Sequence, residues 1–339
     1  MTELDVEVPA TTRLTDSHAH GESRLLRRDA QRTAQLVLAS IWLLDAVLQI
    51  QPFMFTRGSD GFSGMLNEAA AGNPGLVFRT VSWNASIVYH HPVLTNTVYA
   101  LIQFTIGFGI AYKRTLRPAL ALSIVWSLGV WWFGEGAGGI FLGTATPLGG
   151  GPGGVLYYAL IALLLWPRDR RDSQDQPFVA ARSIGAPASR AVWAGTWVLL
   201  AVLSVVGSGR RPQALHDLVS DLAPGEPGWV AHLDRISESF FNSHGTLAAV
   251  LLGIVCLFAA ASVYASPRVA RFMIVVVVAT FAVIWLAVQN LGGMLIGGAT
   301  DPNSGPLVVL LALIFWPLDR QSSPVALRPL IATSIAMES

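Results

Sequence analysis

The chain has 339 residues, 53% hydrophobic and only 13% charged, with a formal net charge of +1. A soluble domain carries about 25% charged residues, so the composition excludes an ordinary soluble globule and points to a bilayer, and the near-neutral charge offers no bulk field for nucleic acid. The one cysteine, Cys256, permits neither an intrachain disulfide nor a cysteine-based zinc site.

Residues 1–33 begin MTELDVEVPATTRLTDSHAHGES, which lacks the apolar centre of a signal peptide and is read as a polar cytoplasmic tail. His18 and His20 supply too few ligands for a selective metal site and are taken as solvated. Arg27, Arg28 and Arg32 are placed at lipid headgroups.

A helix crossing about 30 Å of hydrocarbon needs roughly 20 apolar residues. Ala34 to Ile50, Pro92 to Tyr112, Pro118 to Phe133 and the shorter run Val155 to Pro167 form a first membrane repeat over 34–167. A polar cytoplasmic linker is expected at 168–190. AVWAGTWVLLAVLSVVG, GTLAAVLLGIVCLFAAASVY, FMIVVVVATFAVIWLAV and the short PLVVLLALIFWP form a second repeat over 191–319, followed by a cytoplasmic tail at 320–339. The expected fold is an all-α membrane protein of two tandem four-helix repeats and about eight spans.

The halves correspond in detail. His90 pairs with His244, Arg117 with Arg271, Trp131 with Trp285, Glu135 with Gln289, and Gly151-Pro152 with Gly305-Pro306. Each half ends in Trp-Pro-x-Asp-Arg, at Trp166 and at Trp316. Arginine and lysine cluster before span 1, between spans 2 and 3, and after span 4, and the second half repeats the bias. The positive-inside rule then places both termini in the cytoplasm of a multi-pass cell-membrane protein. Four spans per repeat is an even number, so the repeats are parallel.

The segments after spans 1 and 5 carry amphipathic pieces: Phe62, Met65, Leu66 and Ala69 in the first half, and Leu215, Leu218, Val219 and Leu222, then Trp229, Leu233, Ile236 and Phe240, in the second. They are expected as interfacial helices roofing the bundle. Asn84-Ala85-Ser86 matches a glycosylation acceptor and would face outward.

Two glycine-rich strings, GGIFLGTATP from Gly138 and GGMLIGGATDP from Gly292, join spans 3 to 4 and 7 to 8. Exposed irregular backbone cannot sit in lipid, so these loops dip inward under cover of the helices. They are either tight turns with small-residue packing faces or ligand-lining loops. In the second case the lining residues are Gly138, Gly139 and Thr146, with Gly292, Gly293, Thr300 and Asp301. Neither string is a phosphate loop, because the Walker lysine and the preceding strand are missing.

Asp45 lies mid-span in WLLDAVLQIQP, where an ionised aspartate costs on the order of 3 kcal/mol. Gln49 shares its helical face. Asp45 is either protonated and hydrogen-bonded to Gln49 or a carbonyl, or it handles protons or cations. Glu135 closes span 3 near the outer side, and His90 and His91 open span 2. The three form either a zinc or copper cluster or a His–Glu tie between helix ends; His244 with Gln289 is the weaker counterpart. No cofactor follows from the residues.

WLLDAVLQIQPFMF, WWFGEGAGGIFLGTATPLGG and the LLLWP ending resemble a group of actinobacterial multi-span membrane proteins. The resemblance covers most of the first half and, more loosely, the second. It implies membrane residence and the duplicated layout and transfers no catalytic residue. Four-helix repeats are similar in topology alone to the DoxX-like membrane proteins.

Transport or channelling of a small solute, metal ion or proton between the repeats is the leading functional expectation. An accessory or scaffold subunit of a membrane complex is the alternative, and a redox protein using His90 and His244 is the third. The chain carries no GxSxG, no HExxH and no paired carboxylates in a plausible cleft, so no enzyme is read from it. The expected partners are the lipid bilayer and either a second copy or a membrane-complex subunit, and no nucleic acid.

Overall fold

The computed structural model describes residues 30–59, 61–168, 176–206, 228–295 and 297–318. The two tails and the string through Leu215 to Leu222 lie outside the described residues. Of the described residues, 76% are helical and none is in a strand.

The helices are α1 (30–48), α2 (Pro52–Phe55), α3 (Phe62–Ala70), α4 (Gly75–His90), α5 (Pro92–Ala111), α6 (Leu116–Phe133), α7 (Gly154–Leu164), α8 (Ala181–Ile184), α9 (Ala186–Val205), α10 (Gly228–Ser262), α11 (Pro267–Ala287) and α12 (Ser304–Leu313). Five of them, α5, α6, α9, α10 and α11, are long and apolar enough to cross a membrane; α7 and α12 are shorter apolar helices. Leu101, Phe108, Val125, Phe258 and Phe272 lie exposed on such helices. Large side chains of this kind, exposed in number along several helices, suit hydrocarbon better than water.

The main apolar core runs through both halves, joining Trp42, Tyr158, Trp193, Trp197, Phe281 and Leu307, and two small clusters, around Met54 and around Val81, lie apart from it. α6 packs on α7, α11 on α12, α9 on α10, and the short helices α7 and α12 pack on each other.

Four local expectations change. The first half contains α4, a helix of 16 residues absent from the sequence reading. Thr80, Ser82, Asn84 and Ser86 interrupt its apolar pattern, yet Val77, Val81, Ala85 and Val88 keep helical spacing and are buried. In the second half, the expected interfacial helix and the span after it are one continuous helix, α10. The difference lies at the junction. Pro92 disfavours helical geometry in the residue before it, and His91 accordingly sits at φ −130°, ψ 52° between α4 and α5. The second half has Gly245-Thr246 after His244 and no proline to interrupt it.

Third, part of the segment read as a polar linker is packed. Phe178 to Ser183 are buried, Phe178 stacks near Phe315 at 5.0 Å, and Ala180 N–H donates to Ile314 O at 3.0 Å. Fourth, Arg32 does not simply meet headgroups. Its guanidinium donates to the carbonyls of Ile110 and Ala111, the last turn of α5, where carbonyls lack intrahelical partners and a cation is favoured.

Candidate functional site

The two glycine-rich loops are wired alike. After α6, Glu135 N–H donates to Val130 O at 3.0 Å and Gly138 N–H to Glu135 O at 2.9 Å. After α11, Gln289 N–H donates to Ile284 O at 2.9 Å and Gly292 N–H to Gln289 O at 2.7 Å. The Trp131 indole donates to Pro152 O at 2.8 Å, and the Trp285 indole to Pro302 O at 2.7 Å. Each side chain then reaches the start of the next helix: Glu135 Oε1 accepts from Val155 N–H at 3.4 Å, and Gln289 Oε1 from Gly305 N–H at 3.3 Å. Pro152 therefore has the role of Pro302 rather than Pro306. The spacing between equivalent positions is 154 before the loops and 150 after them, because the second loop is shorter.

Glycine is required at two points of the first loop. Gly138 has φ 60°, and a Cβ there would lie 1.8 Å from Pro152 O. Gly153 has φ 125°, and a Cβ there would lie 2.3 Å from Glu135 Oε2. Both sites need positive φ and admit no side chain. Gly139 and Gly293 also have positive φ, at 74° and 72°. Thr146 is buried with Pro147 and Leu148.

Below the first loop lies a cavity of about 260 Å³. Asp45 of α1, Phe62, Met65 and Leu66 of α3, and Glu135 at the start of the loop line it. Thr300 and Asp301 of the second loop close the wall. Trp42, Trp83, Tyr99, Trp126 and Phe133 give it an aromatic lining, and none of its lining residues among those described is basic. The cavity is thus built mainly from the first half, with one contribution from the second.

Asp45 is 1% exposed. Its Oδ2 accepts from the Tyr158 phenol at 2.5 Å, and its Oδ1 has no hydrogen-bond partner among the described residues. The Asp45–Gln49 side-chain bond, one of the alternatives read from the sequence, is not formed, and the two residues share the helical bond from Gln49 N–H to Asp45 O at 2.8 Å. Gln49 instead donates to Asn96 Oδ1 at 2.7 Å, and Asn96 donates to the carbonyls of Met54 and Pro92. Tyr158 is held against Trp42, with ring centroids 4.3 Å apart, and Trp42 donates to Ser123 Oγ at 3.0 Å. The sequence reading missed Tyr158. The signal for it was a tyrosine pair, Tyr157-Tyr158, in an otherwise aliphatic short helix.

Glu135 is partly buried, and its Oε2 is without a partner among the described residues. Burial, and then the negative charge of Asp301, push its carboxyl from an ordinary value near 4.5 up to about 8. Asp301 is raised by burial against the opposing pull of the Thr300 hydroxyl and the Asn303 N–H. Those two groups donate to Asp301 Oδ2 and Oδ1 at 2.9 and 2.6 Å.

The structure does not bring the histidines to Glu135. His90 is exposed, with Nδ1 2.7 Å from Ser86 O, and neither His90 nor His91 lines the cavity. His244 is exposed and stacks on Phe240 at 5.2 Å. Among the described residues no group of three His, Cys, Asp or Glu side chains is placed to hold a metal ion. Asn84 is buried, accepts from the Tyr99 phenol and donates to Phe133 O, so it ties α4 to α5 and α6 and offers no open glycosylation face.

A second cavity, of about 530 Å³, lies in the other half. Thr280, Val283, Ile284, Ala287 and Val288 line it, each 154 positions after Trp126, Gly129, Val130, Phe133 and Gly134 of the first cavity. Leu148 of the first loop reaches into it, as Asp301 of the second loop reaches into the first. Among the described residues, none that lines this second cavity is charged.

No protein-family model, no curated protein and no solved structure matches the chain.

Proposed function

We propose that the chain is a multi-pass cell-membrane protein of two tandem, parallel four-helix units, with both termini cytoplasmic, that moves a small solute through the cavity of the first unit. The carrying observation is that one cavity reaches from the buried carboxylate of Asp45, within α1, to Glu135 and Asp301 at the loop end. An acid within a membrane segment is costly and faces either a partner or a pathway; Asp45 lines the cavity, and among the described residues one of its oxygens has a partner and the other has none. The matched wiring of the two loops and the paired placement of the two cavities support the duplication. Irregular chain at membrane depth must be shielded, and side chains from outside each loop cover its backbone: Gln289 donates to Leu148 O at 3.3 Å and Gln51 to Ala299 O at 3.1 Å.

The test is flux in proteoliposomes challenged with small cationic, neutral and anionic solutes. A saturable, protein-dependent flux that falls by about tenfold or more in Asp45→Asn is expected, tenfold corresponding to 1.4 kcal/mol of lost interaction. Flux unchanged by Asp45→Asn removes Asp45 from the pathway. Absence of flux for every solute, together with a stoichiometric partner in mild-detergent pull-down, overturns transport in favour of the accessory-subunit reading.

A further inference from the structure

Hydrogen-bond arithmetic limits what the first cavity can hold. Asp45 Oδ1, Glu135 Oε2 and Gln103 Oε1 are buried acceptor atoms on its wall without partners among the described residues. Against these three acceptors stands one donor in the same condition, the Trp126 indole N–H. A buried polar atom left without a partner costs about 1–3 kcal/mol, so the complementary occupant is rich in N–H donors. The charge balance points the same way: three carboxyl groups, Asp45, Glu135 and Asp301, line the cavity with no lysine, arginine or histidine among the described residues, and a bound cation favours the ionised form of a carboxyl held at about 8. A metal ion fits poorly, since among the described residues no three acidic or histidine side chains converge. The remaining wall is aromatic, and the faces of tryptophan, tyrosine and phenylalanine attract organic cations. A volume of about 260 Å³ sits at the small end of ligand cavities.

We infer that the first cavity is a binding site for a small organic cation that carries several N–H donors, a protonated amine or guanidinium on an apolar body, held by Asp45 and Glu135 and stacked on the aromatic wall. This rests on the reading of the cavity as a solute site and names its substrate class. Asp45 and Gln103, 1% and 8% exposed, supply the deep acceptors, and Glu135 the acceptor beside the loop. Asp301 has both oxygens occupied by Thr300 and Asn303 and contributes charge at longer range.

Calorimetry on the full chain in mild detergent tests this with three probes of similar size. Benzylguanidinium has charge and donors, benzylurea has donors without charge, and benzyltrimethylammonium has charge without N–H donors. The expected order places benzylguanidinium tightest, at least about tenfold above either of the others, as charge-assisted hydrogen bonds require. Asp45→Asn, Glu135→Gln and Trp126→Leu should each weaken it, while His90→Ala, on the exposed surface, leaves it unchanged. Glu135→Gln and Trp126→Leu keep the test open if Asp45→Asn does not fold. Equal binding of benzylurea overturns the cationic class, and equal binding of benzyltrimethylammonium overturns the donor requirement. Binding of none of the three to folded protein overturns the site. Cation binding without flux in proteoliposomes would refute transport and keep this site; flux of a different solute without cation binding would do the reverse.

Discussion

The two cavities occupy matching places and have opposite chemistry. Trp126 on the first wall becomes Thr280 on the second, Gly129 becomes Val283, and Glu135 on the first loop becomes Gln289 on the other. Asp45 has no acidic counterpart, because α9 presents Leu200 and Ser204 at that level, both buried. The glutamine satisfies itself, donating to Ser304 Oγ at 2.9 Å while accepting from Gly305 N–H. Glu135 spends one oxygen on the same helix start, and its other oxygen, packed beside Gly153, has no partner among the described residues. One backbone plan thus carries a closed amide lock in one half and an unfilled acid in the other. The loop architecture is therefore a structural requirement common to both halves, and Asp45 and Glu135 are the specific addition of the first.

The strongest way to break this comparison is Asp45→Asn, with the expected loss of flux by about tenfold or more. Next comes the loop itself. Gly153→Ala places a Cβ against Glu135 and Trp131 at a φ of 125°. It should cost about 3 kcal/mol, the upper end of backbone-strain penalties, read as a fall in thermal midpoint. Its counterpart Asn303 also has positive φ and caps α12 by accepting from Ser304 N–H. Asn303→Gly should cost only a few tenths of a kcal/mol, as for glycine at other N-caps. Comparable losses at the two sites would mean that the acid-bearing loop is not the more constrained one.

Tyr158→Phe removes the one hydrogen-bond donor to the Asp45 side chain among the described residues and should destabilise the protein by about 1–3 kcal/mol. Adding Asp45→Leu to that background should restore part of the loss, which a double-mutant cycle would detect.

Glu135→Gln converts the first loop to the chemistry of the second. In the native chain the folded-state carboxyl is raised to about 8 from an ordinary 4.5. Between those values the unfolded chain binds fewer protons than the folded one, so stability falls as pH rises across that window. Glu135→Gln should flatten this dependence, leaving the part owed to the raised carboxyl of Asp301. Thermal unfolding from pH 4 to pH 9 measures the difference, and identical profiles would refute the assignment. The smallest effect is expected for His90→Ala, within about 0.5 kcal/mol, because the ring is exposed.

Much of this was readable from particular residues. Pro92 and Phe133 mark helix ends that the structure keeps within a few residues. Asp45 announces itself as an acid in an apolar run, and the twin glycine strings announce twin loops. The burial of PFVAA within the arginine-rich linker was signalled by its own apolarity and passed over. Tyr158 and Asp301 were not readable as partners of this site, because they reach it from a different helix and from the other half of the chain. Gln49 beside Asp45 was the local expectation, and Asn96, at the start of α5, took its amide instead.

Composition and periodicity alone determined the solvent and the helical class, because a backbone in hydrocarbon must satisfy its amides within each segment. They also determined where the acids stand along the chain. Only the tertiary structure decided which acids share a space and which amides close on themselves. Helix packing brings together side chains far apart in sequence, and that proximity leaves no local periodic trace.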